Sequence, residues 1–312
     1  MIELNKIKGY LLAAVAAAAY GTNPAFAIPL YEEGMNPNSV LLFRYVLGIP
    51  LLALMMIMRG QRFGLKGSDV FKLFVLGVLM ALSSLTLFES YQYINSGVAS
   101  TLLFVYPVIV AVMMIFFFNE KFKPSLVVCF GLMGAGLLLL MHTGGESQFS
   151  AYGFLLVMIS ALTYALYIVL INVTKSVATI PTTKLLFYML IFGSMVFVTK
   201  MATGTALTLP TRPAGWLNLM ALALIPTVLS LACTSGAIKQ IGSTATAIFG
   251  ALEPVVAVVL SVLLLGQGIT GNEIIGGVLI ILATTIVVAG NSVDNALLRV
   301  RKMFPSRRKR KY

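Results

Sequence analysis

Ten apolar stretches, each near the length of a membrane-crossing helix, follow one another along almost the whole chain. About 20 consecutive apolar residues cross the hydrocarbon core of a bilayer as one helix. The connections between the stretches are short and leave no room for a soluble domain. The predicted spans are residues 9–31, 38–58, 70–93, 97–118, 124–141, 151–173, 182–202, 214–238, 243–265 and 271–290.

The composition excludes a soluble protein. Hydrophobic residues make up 59% of the chain and charged residues only 10%, whereas soluble domains carry about 25% charged residues. A soluble fold of this composition would expose apolar surface on a scale that causes aggregation. The predicted fold class is therefore an all-α integral membrane protein with ten transmembrane helices.

The basic residues predict the orientation of the chain. If the N-terminus is cytoplasmic, 19 of the 22 Lys and Arg residues lie on the cytoplasmic side, including eight in the tail. Only Lys200 and Arg212 fall outside, and Arg44 lies within a span. Because Lys and Arg favour cytoplasmic loops, we predict a multi-pass protein of the cell inner (cytoplasmic) membrane with both termini cytoplasmic. The net charge of +12 indicates contact with anionic lipid headgroups rather than nucleic acid.

The two halves of the chain resemble each other. A shift of 147 residues places Pro107 on Pro254 within the stretches 94–112 and 241–259. Nearer the N-terminus, a shift of 144 residues places Tyr20 on Tyr164. We predict a first five-helix repeat at 1–148, a second at 149–292 and a basic cytoplasmic tail at 293–312.

Each predicted repeat holds five spans, so the second repeat crosses the membrane with the opposite polarity to the first. Inverted repeats of this kind are typical of secondary transporters that work by alternating access. A two-fold axis in the membrane plane then relates the repeats, and the substrate site is expected near the midplane between them.

Segments 106–140 and 252–290 together resemble the paired signature of the EamA-type permeases of the drug/metabolite transporter superfamily. Each has a Pro-containing helix, a short turn and a Gly-rich final helix. Asn119-Glu120 and Gly266-Gln267 occupy the turn positions, and Gln267 departs from the usual acid. The resemblance implies ten helices around a central cavity and movement of small metabolites, often export of amino acids or related compounds.

Glu253 is the only ionisable residue between Ser243 and Leu265. A charged side chain at the bilayer centre costs about 2.5–3.5 kcal/mol on insertion scales, so such residues face protein or a watery cavity. Glu253 is predicted to pair with a substrate ammonium or to bind a coupling proton, and a structural carboxyl is the alternative. Pro254 lacks an N–H group and is expected to free the Gly250 carbonyl for a ligand or water.

Arg44 and Glu89 are the other predicted intramembrane charges, and both are expected within about 6–9 Å of the outer interface, from the 1.5 Å rise per residue of a helix. They are predicted to form an ion pair that closes an outer gate. Arg44 is alternatively predicted to hold a substrate carboxylate with its planar guanidinium. Snorkelling of both side chains to the headgroups is a third interpretation.

Further candidates for the substrate site are polar and aromatic side chains within spans. Asn23-Pro24 interrupts the first span and predicts a kink over the cavity, and Pro107 and Pro254 are predicted hinges of the same kind. The candidate aromatic side chains could equally be ordinary packing. They are Tyr20, Tyr106, Tyr164 and Tyr167.

The function that these features predict is a secondary transporter for a small molecule. The chain contains no P-loop pattern for ATP hydrolysis, and no cofactor or metal site is predicted from its two cysteines and single histidine. The separated carboxylates argue against a membrane-embedded enzyme, which is one alternative. A channel and a lipid-linked metabolite flippase are the others, and a homodimer stays open.

Overall fold

The computed structural model describes residues 2–118, 125–141, 150–250, 252–283 and 285–286. Every regular element in these ranges is helical, which confirms the predicted all-α class. The turn Asn119-Glu120 and the tail 293–312 lie outside the described residues. The helices are α1 (Ile2–Gly21), α2 (Asn23–Glu32), α3 (Pro37–Met58), α4 (Gly67–Ser90), α5 (Ser96–Leu103), α6 (Tyr106–Phe118), α7 (Ser125–Met141), α8 (Ala151–Val173), α9 (Lys175–Ala178), α10 (Thr182–Ala202), α11 (Pro213–Ala223), a π-helical segment (Leu224–Leu229), α12 (Ser230–Phe249), α13 (Leu252–Leu265) and α14 (Gly271–Ala283).

Seven helical stretches of the described chain are long and apolar enough to cross a membrane. Three shorter apolar helices lie in the fifth, ninth and tenth predicted spans. The seven long stretches are Ile7–Glu32, Pro37–Met58, Gly67–Ser90, Ser96–Phe118, Ala151–Ile171, Thr182–Ala202 and Pro213–Thr234, and the three shorter ones are Val127–Leu140, Leu252–Leu265 and Gly271–Ala283. Each of the ten predicted segments therefore contains one apolar helix, and a count of ten spans stays a prediction.

The three predicted hinge prolines all lie at helix starts that follow an interruption. Pro24 lies in the first turn of α2, after the break at Thr22. Pro107 follows the turn at Phe104–Val105 and is the second residue of α6. Pro254 is the third residue of α13. A proline in the first helical turn removes no helical hydrogen bond because the N–H groups there have no intrahelical acceptor.

Two local predictions in the second half are wrong. The Gly250 carbonyl is not free, because the backbone N–H of Glu253 donates to it at 2.9 Å. The predicted connection at 239–242 is helical, since α12 continues to Phe249. In the first half, the 147-residue shift relates Gly242 to Asn95. The Asn95 side chain accepts the Gly97 N–H and caps α5. Gly242 stands at the equivalent place and has no side chain that could start a new helix.

Glycines in the two halves make reciprocal close contacts. A Cβ added at Gly9 would lie 2.6 Å from Ile241 Cγ2, and one added at Gly153 would lie 2.8 Å from Ile94 Cγ2. These are equivalent positions under the 144- and 147-residue shifts. Between α7 and α14, a Cβ at Gly136 would lie 2.8 Å from the Gly276 carbonyl, and the reverse distance is also 2.8 Å. Small residues of this kind let helices in a membrane approach closely.

The loops that follow α3 and α10 contact the opposite half in equivalent ways. Arg59 Nη1 donates to Thr183 Oγ1 at 2.8 Å, at the start of α10. In the other direction, the Thr208 N–H donates to Ser39 Oγ at 2.9 Å, at the start of α3. Gly60 and Gly204, which a 144-residue shift relates, end these helices with φ of 62° and 116°. Only glycine adopts such values without strain.

Gln267, at the turn position where the resembling family usually has an acid, links α13 to α5. Its Oε1 accepts the Ser96 N–H at 3.2 Å and the Ser96 hydroxyl at 2.9 Å. The Ser96 hydroxyl is also 2.9 Å from Ser261 Oγ on α13. An uncharged amide oxygen is therefore sufficient to accept the free N–H of Ser96 at the start of α5.

Candidate functional site

A cavity of about 300 Å³ lies between the two halves of the chain. It is lined by residues of α1 to α6 from the first half and of α8, α10, α12 and α13 from the second. Pro107 and Glu89 do not line it. The predicted residues that do are Tyr20, Asn23, Pro24, Arg44, Tyr106, Tyr164, Tyr167, Glu253 and Pro254.

Glu253 reaches the cavity from the first turn of α13. Its backbone packs against α1, because a Cβ added at Gly21 would lie 2.6 Å from the Glu253 carbonyl oxygen. The half-buried carboxylate has no hydrogen-bond or ion-pair partner among the described residues. Three tyrosines, Tyr20, Tyr106 and Tyr164, line the same cavity. The carboxylate can therefore accept hydrogen bonds from a ligand in the cavity.

Asn23 adds a second acceptor at the break between α1 and α2. Its Nδ2 donates to the Tyr20 carbonyl at 2.8 Å, which fixes the orientation of the amide. Its Oδ1 is buried and has no hydrogen-bond donor among the described residues. A buried amide oxygen without a donor costs free energy, so a donor group on a bound ligand would stabilise this arrangement.

Arg44 lines the same cavity from α3 and is 5% exposed. Its Nε donates to Thr227 Oγ1 at 3.0 Å, and its Cζ lies 5.7 Å from the centroid of the Phe88 ring. The ion pairs among the described residues do not include Arg44. An arginine carries five N–H donors, and only Nε has an acceptor in the described chain. The guanidinium can therefore bind an anionic group.

The predicted ion pair between Arg44 and Glu89 is not present. Glu89 pairs with Lys200 at the end of α10, and the Arg44 guanidinium is directed to Thr227 instead. The sequence places Lys200 on the same side of the membrane as Glu89, but nothing in the sequence shows that α4 and α10 are neighbours. Glu89 is therefore separate from the cavity, although it joins the two halves.

Charge reversal tests the Glu89–Lys200 pair. Glu89→Lys or Lys200→Glu alone is expected to lower the thermal unfolding midpoint, because like charges then face each other. The loss should correspond to about 1 kcal/mol or less, since partly exposed pairs contribute little. The double variant Glu89→Lys/Lys200→Glu should recover the midpoint. The double variant Arg44→Glu/Glu89→Arg is the control, and it should not recover the thermal unfolding midpoint. Recovery in this control would contradict the pairing of Glu89 with Lys200.

Three of the four predicted tyrosines form one aromatic wall. The ring centroids of Tyr106 and Tyr164 are 4.7 Å apart, edge to face, and those of Tyr164 and Tyr167 are 5.6 Å apart in a stack. Tyr20 lines the same cavity from α1. Edge-to-face and stacked rings hold each other in place, so the wall offers rigid apolar faces next to polar groups.

Sequence reasoning missed several polar lining residues. Tyr91 directly follows α4, Ser100 lies on α5, and Ser83 and Ser84 lie on α4. Thr227 holds Arg44 without lining the cavity itself. Small hydroxyl residues are common in apolar helices, so a single sequence carries no signal that selects these ones. Among the described residues, no group of three or more His, Cys, Asp and Glu side chains could hold a metal ion.

Comparison with known proteins identifies relatives of the chain. The model of the EamA-like transporter family matches residues 7–142 and 151–289. An uncharacterized transporter of Clostridium kluyveri is 23% identical over 94% of this chain and 97% of its own length. The uncharacterized transporter sll1319 of Synechocystis sp. is 28% identical over 74% of this chain and 67% of its own length.

A solved crystal structure shares the fold. It superposes with a TM-score of 0.64 at 18% sequence identity and covers 91% of this chain and 98% of the solved one. Together with the family match, this confirms the resemblance that the paired segments 106–140 and 252–290 predict.

Proposed function

We propose, because this chain belongs to the EamA-like transporter family, that it carries a small zwitterionic metabolite across the cytoplasmic membrane as a secondary transporter. The substrate class is an amino acid or a related compound, and the direction is export. Transport proceeds by alternating access between the two halves. The inner membrane location, the cytoplasmic termini, a coupling proton and a homodimer belong to the same proposal.

The observation that carries the proposal is that one cavity contains two side chains of opposite charge that do not pair with each other. Glu253 and Arg44 both line it, and neither has an ion-pair partner among the described residues. A charge buried without a counter-ion is costly. A ligand with both an ammonium and a carboxylate would compensate both costs at once. The free acceptor of Asn23 offers the ammonium a second hydrogen bond.

Reciprocal contacts support two inverted repeats of five helices each. In an isologous contact, residue i of one unit touches residue j of the other, and the equivalent j touches i. The contacts of Gly9 with Ile241 and of Gly153 with Ile94 have this form. With five spans in each half, a two-fold relation of this kind places its axis in the membrane plane and gives each half the opposite orientation.

Ligand binding and transport test this proposal on the purified full chain. A thermal-shift panel would contain leucine, phenylalanine, threonine, lysine and glutamate, each with the amine that its decarboxylation produces. For the pairs whose amine carries no carboxylate, which excludes glutamate, at least one amino acid is expected to raise the unfolding midpoint more than its amine does, because ligands stabilise the state that binds them.

Counterflow in liposomes then separates a carrier from a channel. Unlabelled amino acid on the far side is expected to accelerate entry of the labelled compound, since a carrier must return its site across the membrane. Binding of no amino acid in the panel, or equal shifts for amino acids and amines, would contradict the zwitterion class. Absence of trans-stimulation would contradict the carrier mechanism.

A further inference from the structure

We infer that Thr227 is a positioning residue for Arg44, and that it orients the guanidinium towards the anionic end of the transported molecule. The inference rests on the proposed function, because it assigns Arg44 to the substrate anion. Thr227 belongs to the second half and Arg44 to the first, so a hydrogen bond between the halves sets the direction of the one arginine among the described residues that line the cavity.

Thr227 lies in the π-helical segment Leu224–Leu229 between α11 and α12. In an α-helix, the N–H of residue 226 would donate to the Leu222 carbonyl. Pro226 has no N–H, and this carbonyl is buried because Leu222 is 0% exposed. The Thr227 hydroxyl donates to it at 3.2 Å. The wider turn brings Thr227 within reach of a carbonyl five residues earlier, and such turns are frequent at functional sites.

The direction of the two hydrogen bonds at Thr227 follows from its single hydroxyl proton. That proton is donated to the Leu222 carbonyl, so the oxygen is left to accept from Arg44 Nε at 3.0 Å. Thr227 and Arg44 are each 5% exposed. Both partners are therefore shielded from water, and a buried hydrogen bond to a charged donor is stronger than an exposed neutral one.

Two contacts together restrict the guanidinium plane. Nε is held by Thr227, and Cζ lies 5.7 Å from the centre of the Phe88 ring on α4. Neither Nη atom has an acceptor among the described residues. The pair of terminal nitrogens is the face that binds a carboxylate in bidentate geometry. Thr227 therefore fixes the orientation of the guanidinium through Nε and leaves both Nη atoms free to bind an anion.

Substitution of the hydroxyl tests this role. Thr227→Val keeps the shape and removes the oxygen, whereas Thr227→Ser keeps the oxygen. We expect Thr227→Val to raise KM for the best-binding amino acid of the panel about tenfold, the equivalent of about 1.4 kcal/mol. KM for the matching amine should stay unchanged, because the amine has no group for Arg44. Thr227→Ser should retain the wild-type ratio between KM for the amine and KM for the amino acid.

A double-variant comparison separates positioning from a structural role. In an Arg44→Ala background, Thr227→Val should have no further effect on the preference for amino acid over amine, because residues that act as a unit are not additive. If Thr227→Val folds poorly, as judged by thermal unfolding, Thr227→Ala supplies the same comparison. Equal losses for amino acid and amine, or an undiminished effect in the Arg44→Ala background, would overturn the inference.

The outcomes also distinguish this inference from the proposed function. If Arg44→Ala leaves the preference for amino acid over amine intact, the anion subsite itself is wrong and the role of Thr227 falls with it. If Arg44→Ala abolishes the preference and Thr227→Val does not change it, only the inference about Thr227 is overturned.

Discussion

Glu253→Gln is expected to reduce transport of an amino acid at least tenfold while the protein folds normally. The amide has almost the same size as the carboxyl, so the contact of Gly21 with the Glu253 backbone is retained. The change removes the negative charge from the cavity. A hydrogen bond to a charged group contributes about 1.5–3 kcal/mol, which corresponds to about one to two powers of ten in binding.

Glu32→Gln is the matched control for this variant. It makes the same chemical change at an exposed residue that does not line the cavity between the halves. Counterflow rates and ligand-induced thermal shifts would be measured for both variants. Wild-type transport by the Glu253→Gln protein would show that the carboxyl is structural.

The same pair of variants tests proton coupling. If Glu253 carries the coupling proton, a pH gradient should accelerate uptake into liposomes by the wild-type protein and by Glu32→Gln. Glu253→Gln should show no acceleration, because an amide does not bind a proton in this pH range. A gradient response that survives in Glu253→Gln would assign coupling to another group.

Most of the predicted site residues line the cavity, and the polar ones could be predicted because polar residues are expensive in an apolar helix. Asn23, Arg44 and Glu253 stand out against their neighbours in the sequence, and each of them lines the cavity. The matched tyrosines Tyr20 and Tyr164 were identified by the repeat rather than by chemistry. The first signal is local to each segment, and the second comes from comparing the chain with itself. Neither requires knowledge of which helices are neighbours.

Pairing between helices could not be predicted in the same way. Glu89 was predicted to pair with Arg44 because both lie near the same end of their spans, and it pairs with Lys200 instead. Depth along a helix can be counted from the sequence, but rotation about its axis and the identity of its neighbour depend on packing. Thr227 was missed for the same reason, since its role depends on the neighbouring Arg44.

The packing of α7 on α14 offers a test of the close glycine contact between the two halves. Gly136→Val is expected to lower stability by about 1–3 kcal/mol, the usual cost of inserting extra carbons into a packed interior. The added Cβ alone would lie 2.8 Å from the Gly276 carbonyl oxygen and 2.9 Å from Ile280 Cγ1. A backbone carbonyl cannot move aside as a side chain does, so the two helices would have to separate.

Gly131→Val is the matched control, because it lies on the same helix and a Cβ there meets no heavy atom of the described residues within 4 Å. The helical preference of valine is common to both variants and cancels in their comparison. Thermal unfolding midpoints in detergent should fall for Gly136→Val and remain close to wild type for Gly131→Val.

Gly276→Val should reproduce the loss from the other side of the contact. The two substitutions widen the same gap, so the Gly136→Val/Gly276→Val protein should lose less stability than the sum of the single losses. Equal midpoints for Gly131→Val and Gly136→Val would contradict the close approach of α7 and α14. Independent, additive losses would contradict the direct contact between these two glycines.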